Sequence, residues 1–180
     1  GLDRETLPDV CAKASALGVA EIANYNCPGQ MAIAGDAAAV ERACELAKEA
    51  GARRCLPLKV SGPFHTSLMA PAAAALAKRF SGETFGAMNF PVYFNCLGGP
   101  MGEGDTIPAL LEKQVRSSVY MEDTLRRLAD DGIDRVIEIG PGRVLSGLWK
   151  KTVTERKVPV LGVETAEELA EAVRMLQEEN

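Results

Sequence analysis

Residues 27–29, Cys27-Pro28-Gly29, punctuate two runs of alternating character, "VAEIANYN" (19–26) and "QMAIAG" (30–35). Pro-Gly between alternating runs predicts two adjacent strands around a tight turn. Helical spacing flanks this pair on both sides. Before it, Leu7, Val10, Cys11, Ala14 and Leu17 recur on one face, with Asp3 or Thr6 as N-cap. After it, Asp36 stands as an N-cap, Val40, Cys44 and Ala47 line a face, and Gly51 sits at the C′ position. "RRCLPLKV" (53–60) is expected to be a third strand. The order αββαβ is that of a split βαβ, ferredoxin-like unit lacking its first strand. Such a unit leaves a sheet edge unpaired. Together with an opening "GLDRETL" that has neither initiator methionine nor signal peptide, this leads us to expect a segment upstream.

Beyond residue 60 strands and helices alternate. A helix is predicted around 70–80 with Pro71 in its first turn, where a missing N–H is tolerated. "FPVYFNC" (90–96) is expected as a strand, followed by helices at 106–117, with Leu110, Leu111, Gln114 and Val115 inward, and 121–131. "DRVIEIG" (134–140) reads as a buried strand, "RVLSGLWKK" (143–151) as a helix and "VPVLGV" (158–163) as a strand. A capping box from Thr165 to Glu168 opens a last helix that should bury Leu169, Val173 and Leu176. Alternation of this kind predicts an α/β fold with a mainly parallel sheet covered on both faces. Residues 1–60 are accordingly expected as one small subdomain and 61–180 as part of a larger one.

Composition narrows the function. Apolar runs fall well short of a membrane span, and 47% hydrophobic with 25% charged residues is the balance of a globular, cytoplasmic protein. The net charge of −5 has its signs interspersed, so no nucleic-acid or membrane partner is expected. Five cysteines, 11, 27, 44, 55 and 96, form no CxxC pair and read as reduced thiols. A single histidine rules out a multi-histidine metal centre.

That histidine, His65, lies in "VSGPFHTSLM" (60–69), between a strand end and a helix start. Imidazole there suits a general base, but a base needs a nucleophile. Serines 15, 61, 67, 81, 117, 118 and 146 all lie outside a GxSxG elbow, and Ser61 and Ser67 read as ordinary capping residues. Cys96, at a strand end, is the best-placed alternative nucleophile, although a small buried thiol is the simpler reading. "EIGPGRVLSG" (138–147) has the strand-turn-helix shape of a phosphate-binding turn but lacks the third glycine and the acidic ribose ligand, which favours a plain tight turn. Asn24, Tyr25, Asn26 and Gln30 gather polar groups near the first turn.

Five stretches, "NYNCPGQMAIAG" (24–35), "AGARRCLPLKVSGPFHTSLMAPAAAALA" (50–77), "FNC" (94–96), "LLEKQVRSSVYMEDTL" (110–125) and "VIEIGPGRVLSGLWKK" (136–151), resemble the malonyl-CoA:acyl carrier protein transacylases and the related acyltransferase domains of fatty acid and polyketide synthases. The resemblance spans nearly the whole chain. It implies the C-terminal part of an α/β-hydrolase-like domain carrying a small ferredoxin-like subdomain. It also implies ping-pong transfer of malonyl from malonyl-CoA, through a serine ester, to the phosphopantetheine thiol of acyl carrier protein, with no cofactor or metal beyond these substrates.

In that scheme His65 is the general base, and a main-chain carbonyl at Gln114 takes the place of a triad carboxylate. Phe64 resembles the malonyl-selective pattern, its bulk disfavouring an α-methyl group; one methyl is worth about 1–3 kcal/mol in such a pocket. Asn24 and Asn26 are the implied substrate-binding positions. The GHSLG serine, the oxyanion glutamine and the carboxylate-clamping arginine find no match here, and Arg53, Arg54 and Arg143 are not substitutes. The expected partners are therefore malonyl-CoA, acyl carrier protein and a missing N-terminal portion of the same enzyme. Two alternatives stand beside this: an acyltransferase for another acyl-CoA, and a non-catalytic fragment that binds coenzyme A or carrier protein.

Overall fold

The stripe of Leu7, Val10, Cys11 and Ala14 forms helix α1 (Leu7–Ala14) in the computed structural model, which describes residues 1–178. All four are buried, whereas Leu17 lies beyond the helix and is exposed. Thr6 occupies the N-cap position without a side-chain cap bond, and Pro8 stands in the first turn. The Cys-Pro-Gly turn joins strands β1 (Ala20–Cys27) and β2 (Gln30–Gly35), which pair antiparallel. The register slips twice, leaving Ala23 and Asn26 without an opposite residue on β2. Such bulges bend the strand and increase its twist. Helix α2 (Ala37–Glu49) buries a row of alanines, Ala39, Ala43 and Ala47, while Val40 and Cys44 are half-buried beside it. These small side chains let α2 lie close to α1 over a common core that includes Leu2, Ala20 and Ile22.

The chain divides into two compact units, Gly1–Thr124 and a second beginning at Leu125. Residues 61–124 thus pack with the first sixty residues. The cause is strand β1, which pairs on its other side in parallel with β5 (Val119–Tyr120), giving the order β2-β1-β5. The first unit also holds helix α3 (Ala70–Phe80), a short antiparallel pair β3 (Tyr93–Phe94) and β4 (Gly99–Pro100), and helix α4 (Ile107–Arg116). Helix α5 spans Met121–Asp130. Phe94 and Cys96 pack on Leu110 of α4. Near the amino terminus, Arg4 grips Asp123 with its two terminal guanidinium nitrogens at 3.0 and 2.8 Å and lies 4.4 Å from the centre of the Tyr25 ring, which stacks on Tyr120.

Two strand expectations in this unit fail. Residues 53–60 form no strand, and Leu56, Leu58 and Val60 are 68%, 68% and 67% exposed. Of 90–96 only Tyr93–Phe94 is extended and paired, and Phe90 is 71% exposed. Strand character depends on a neighbouring strand to complete the ladder and on cover for the side chains; among the described residues no strand pairs with 53–60, and only the two-residue β4 pairs with 90–96.

The second unit contains strands β6 (Val136–Ile139) and β7 (Val160–Val163), parallel and in register, with helices α6 (Val144–Thr152) and α7 (Ala166–Glu178). Trp149 and Leu148 of α6 are buried. The capping box closes as expected, with Thr165 Oγ1 accepting from the Glu168 N–H and the Glu168 carboxylate accepting from the Thr165 N–H, both at 3.2 Å. However, Ile139 is 79% exposed, so β6 is not buried on both faces, and α7 buries Ala172 while Leu169 and Val173 are exposed. A two-stranded parallel pair covers only part of what a full sheet would. The chain is a mixed α/β protein whose pairings are both parallel and antiparallel. No described helix is long and apolar enough to cross a membrane.

Candidate active site

The last four carbonyls of an α-helix have no intrahelical partner, and those of Gln114 and Val115 belong to the final turn of α4. His65 satisfies both. Its main-chain N–H donates to the Val115 oxygen at 3.1 Å, and its ring Nδ1 lies 3.0 Å from the Gln114 oxygen. A carbonyl oxygen can only accept, so Nδ1 carries a proton and, in the neutral ring, Nε2 keeps its lone pair. The negative end of the helix reinforces this choice of tautomer. To make both contacts His65 adopts φ = 65°, the one non-glycine residue with positive φ among those described. That conformation costs about 1–2 kcal/mol for an L-residue with a Cβ, and the two hydrogen bonds offset it.

Neighbouring residues hold this geometry on both sides. Thr66 is fully buried and donates its hydroxyl to the Pro63 oxygen at 2.7 Å, closing a turn around His65. Ser67 gives both its N–H and its hydroxyl to the carboxylate of Glu21, at 2.7 and 2.6 Å. After α4, the Ser118 hydroxyl donates to the Ile22 oxygen at 2.5 Å. Consecutive residues of β1 therefore fasten the segment that carries His65 and the segment that presents Gln114. Glu21 was not legible in the sequence as part of this site. Its acidic type in a strand was the only signal, and its partner lies 46 residues away.

Of the other expected residues, Phe64 is 47% exposed beside His65. Asn24 lies on β1 opposite Val119 and Ala32, and Asn26 is a bulged residue near the turn. Among the described residues neither asparagine is hydrogen-bonded to His65. Among the described residues no serine hydroxyl is hydrogen-bonded to the ring either, and those of Ser15, Ser67, Ser81, Ser118 and Ser146 are engaged elsewhere. Cys96 is buried, with its thiol facing the Leu110 oxygen at 3.6 Å, and burial pushes its pKa up, which suits a core thiol rather than a nucleophile. No group of His, Cys, Asp and Glu among the described residues could hold a metal ion.

The glycine turn after β6 serves local structure. Gly140 and Gly142 have φ of 131° and 83°, which carries the chain from strand to helix. The buried Glu138 folds back over the start of α6, accepting from the N–H groups of Leu145 and Ser146 at 2.9 and 2.8 Å and from the Ser146 hydroxyl at 2.5 Å. The hydroxyl, followed by the two main-chain donors, holds this carboxyl below the usual range. The donors that a phosphate would use are occupied by this carboxylate. Arg143 is likewise engaged, with Glu168 at 2.6 Å and Glu164 at 3.5 Å.

Comparison with known proteins gives a consistent result. No family model matches the chain. A malonyl CoA-acyl carrier protein transacylase of Bacillus subtilis is 42% identical over 181 aligned residues, a match that takes in 100% of this chain and 56% of the relative. A crystal structure of malonyl CoA-acyl carrier protein transacylase from Clostridium perfringens superposes with a TM-score of 0.91 at 37% identity, covering 99% of this chain and 55% of that one. A malonyl-transacylase solved in complex with a type II polyketide acyl-carrier protein superposes with a TM-score of 0.90 at 37% identity, covering 97% and 56%. The chain spans about half the length of the curated relatives it matches.

Proposed function

We infer that this chain, a homologue of the malonyl CoA-acyl carrier protein transacylases, supplies the general base of a malonyl transfer from coenzyme A to acyl carrier protein. One observation carries the reading: the imidazole of His65 is held through Nδ1 by the Gln114 carbonyl, leaving Nε2 as a fixed proton acceptor. In the proposed reaction Nε2 removes the proton of a serine hydroxyl as its oxygen attacks the thioester carbonyl of malonyl-CoA. The coenzyme A thiolate departs with that proton. In the second half, Nε2 takes the proton of the phosphopantetheine thiol, whose sulfur attacks the malonyl ester, and returns it to the serine oxygen.

The nucleophilic serine, the oxyanion donors and the carboxylate clamp are assigned to a segment outside these 180 residues, which we propose to be an N-terminal portion of the same enzyme. The exposed apolar residues Leu56, Leu58, Val60, Phe90 and Ile139 support a further packing partner of this kind. In the completed enzyme, residues 1–60 would form the core of a ferredoxin-like subdomain and 61–180 part of an α/β-hydrolase-like sheet domain. Phe64, Asn24 and Asn26 would face the acyl and coenzyme A groups, acting in the cytoplasm without a metal or cofactor.

Replacing His65 by Asn in the protein that includes the serine-bearing segment tests the assignment, because Asn tolerates the left-handed backbone. Malonyl transfer should fall by about 10³-fold or more with the melting temperature nearly unchanged. Near-normal turnover would sink the reading.

A further inference from the structure

Cys44 and Cys55 lie outside the site and have no part in the proposed transfer. Cys44 is on the half-buried flank of α2, and Cys55 is in the segment that follows, where no strand forms. The Cys55 thiol points at the carbonyl oxygen of Cys44, 3.5 Å away. Both side chains are half-buried, so small molecules reach them, whereas Cys11, Cys27 and Cys96 are buried. The chain returns to α2 because the Ala52 N–H bonds the Ala47 oxygen at 2.8 Å, so the approach is built into the helix end. Because residues 53–60 make no ladder bonds, rotating Cys55 toward Cys44 disrupts no sheet. Ten residues further on is His65.

We propose that Cys44 and Cys55 are a reversible thiol pair, converted to an intramolecular disulfide by a small-molecule disulfide and thereby tying the segment that leads to His65 onto α2. Cys55, in the irregular segment that follows α2, is assigned the first attack, and Cys44, held on the helix, the second. The Cys55 thiolate attacks one sulfur of the small disulfide, forming a mixed disulfide and expelling one thiolate. The Cys44 thiolate then attacks the Cys55 sulfur, forming the Cys44–Cys55 bond and expelling the second. The protein loses two electrons and two protons, and the small disulfide is reduced to two thiols.

Oxidised glutathione, incubated with the folded chain and quenched with an alkylating agent, provides the test. Intact mass should show the loss of two hydrogens, and peptide mapping should place the link between residues 44 and 55. Reductant should restore the original mass. Cys44→Ser should stop at one glutathionyl group on Cys55, and Cys55→Ser should give no internal link, with folding of both variants checked by circular dichroism. A link between any other pair, a stable glutathionyl group on Cys55 of the unaltered chain, or unchanged thiols at 44 and 55 would overturn the proposal.

Discussion

The Nδ1 of His65 lies 3.0 Å from the main-chain oxygen of Gln114, and the N–H of the same histidine lies 3.1 Å from the oxygen of Val115. Two consecutive orphan carbonyls at one helix end thus fix both the backbone and the ring of the single histidine in the chain. A triad carboxylate would orient the ring equally well but would add a full negative charge; the carbonyl brings only the partial charge of the helix end.

The contact is to the main chain, so the side chain of Gln114 is dispensable for it. Gln114→Ala should leave the carbonyl in place and, in the protein that includes the serine-bearing segment, lower malonyl transfer by less than about tenfold, far below the loss predicted for His65→Asn. Steady-state kinetics of the two variants side by side distinguishes a main-chain from a side-chain role.

Glu21 anchors Ser67 two residues after His65 through a pair of hydrogen bonds. Glu21→Ala should destabilise the fold by about 0.5–2 kcal/mol, the range for losing a helix-start acceptor, as read from the urea midpoint at unchanged m-value. Hydrogen exchange should show faster opening at residues 65–70 than at α2.

Much of this was legible in the sequence, and the exceptions have physical causes. The apolar stripe of α1, the Cys-Pro-Gly hairpin and the Thr165–Glu168 capping box are local patterns whose partners lie within a few residues. Residues 53–60 have strand composition but no strand beside them, and alternation alone cannot make a ladder. The contacts of Glu21 to Ser67 and of Ser118 to Ile22 span 46 and 96 residues, which no periodicity records. The positive φ of His65 was also hidden, since residue type marks that conformation strongly only for glycine and weakly for asparagine, aspartate and histidine. Gln114 was indicated only by family resemblance, because a carbonyl contact leaves no trace in side-chain chemistry.

Gly35 has φ = 150°, and a Cβ there would collide with the main-chain oxygen of Val19. Backbone cannot swing aside as a long side chain can. Gly35→Ala should therefore cost at least about 2 kcal/mol, seen as a clear drop in melting temperature.

Glu138 contributes to stability as a carboxylate. Its folded pKa is held below that of an unfolded glutamate, so the contribution is present above the unfolded value of about 4.3 and is lost as pH falls through the folded one. Thermal unfolding followed from about pH 7 to about pH 3 should show Glu138→Gln less stable at neutral pH and with a shallower acid decline than the unaltered chain. Parallel curves would contradict the role given to this carboxylate.

Because the chain has one histidine, a single two-bond ¹⁵N–¹H correlation spectrum reads its tautomer without assignment ambiguity. At a pH where the ring is neutral, Nδ1 should be protonated and pyrrole-type and Nε2 bare and pyridine-type. A protonated Nε2, or the averaged pattern of a ring exchanging freely between tautomers, would contradict the claim that Gln114 holds His65 as a base.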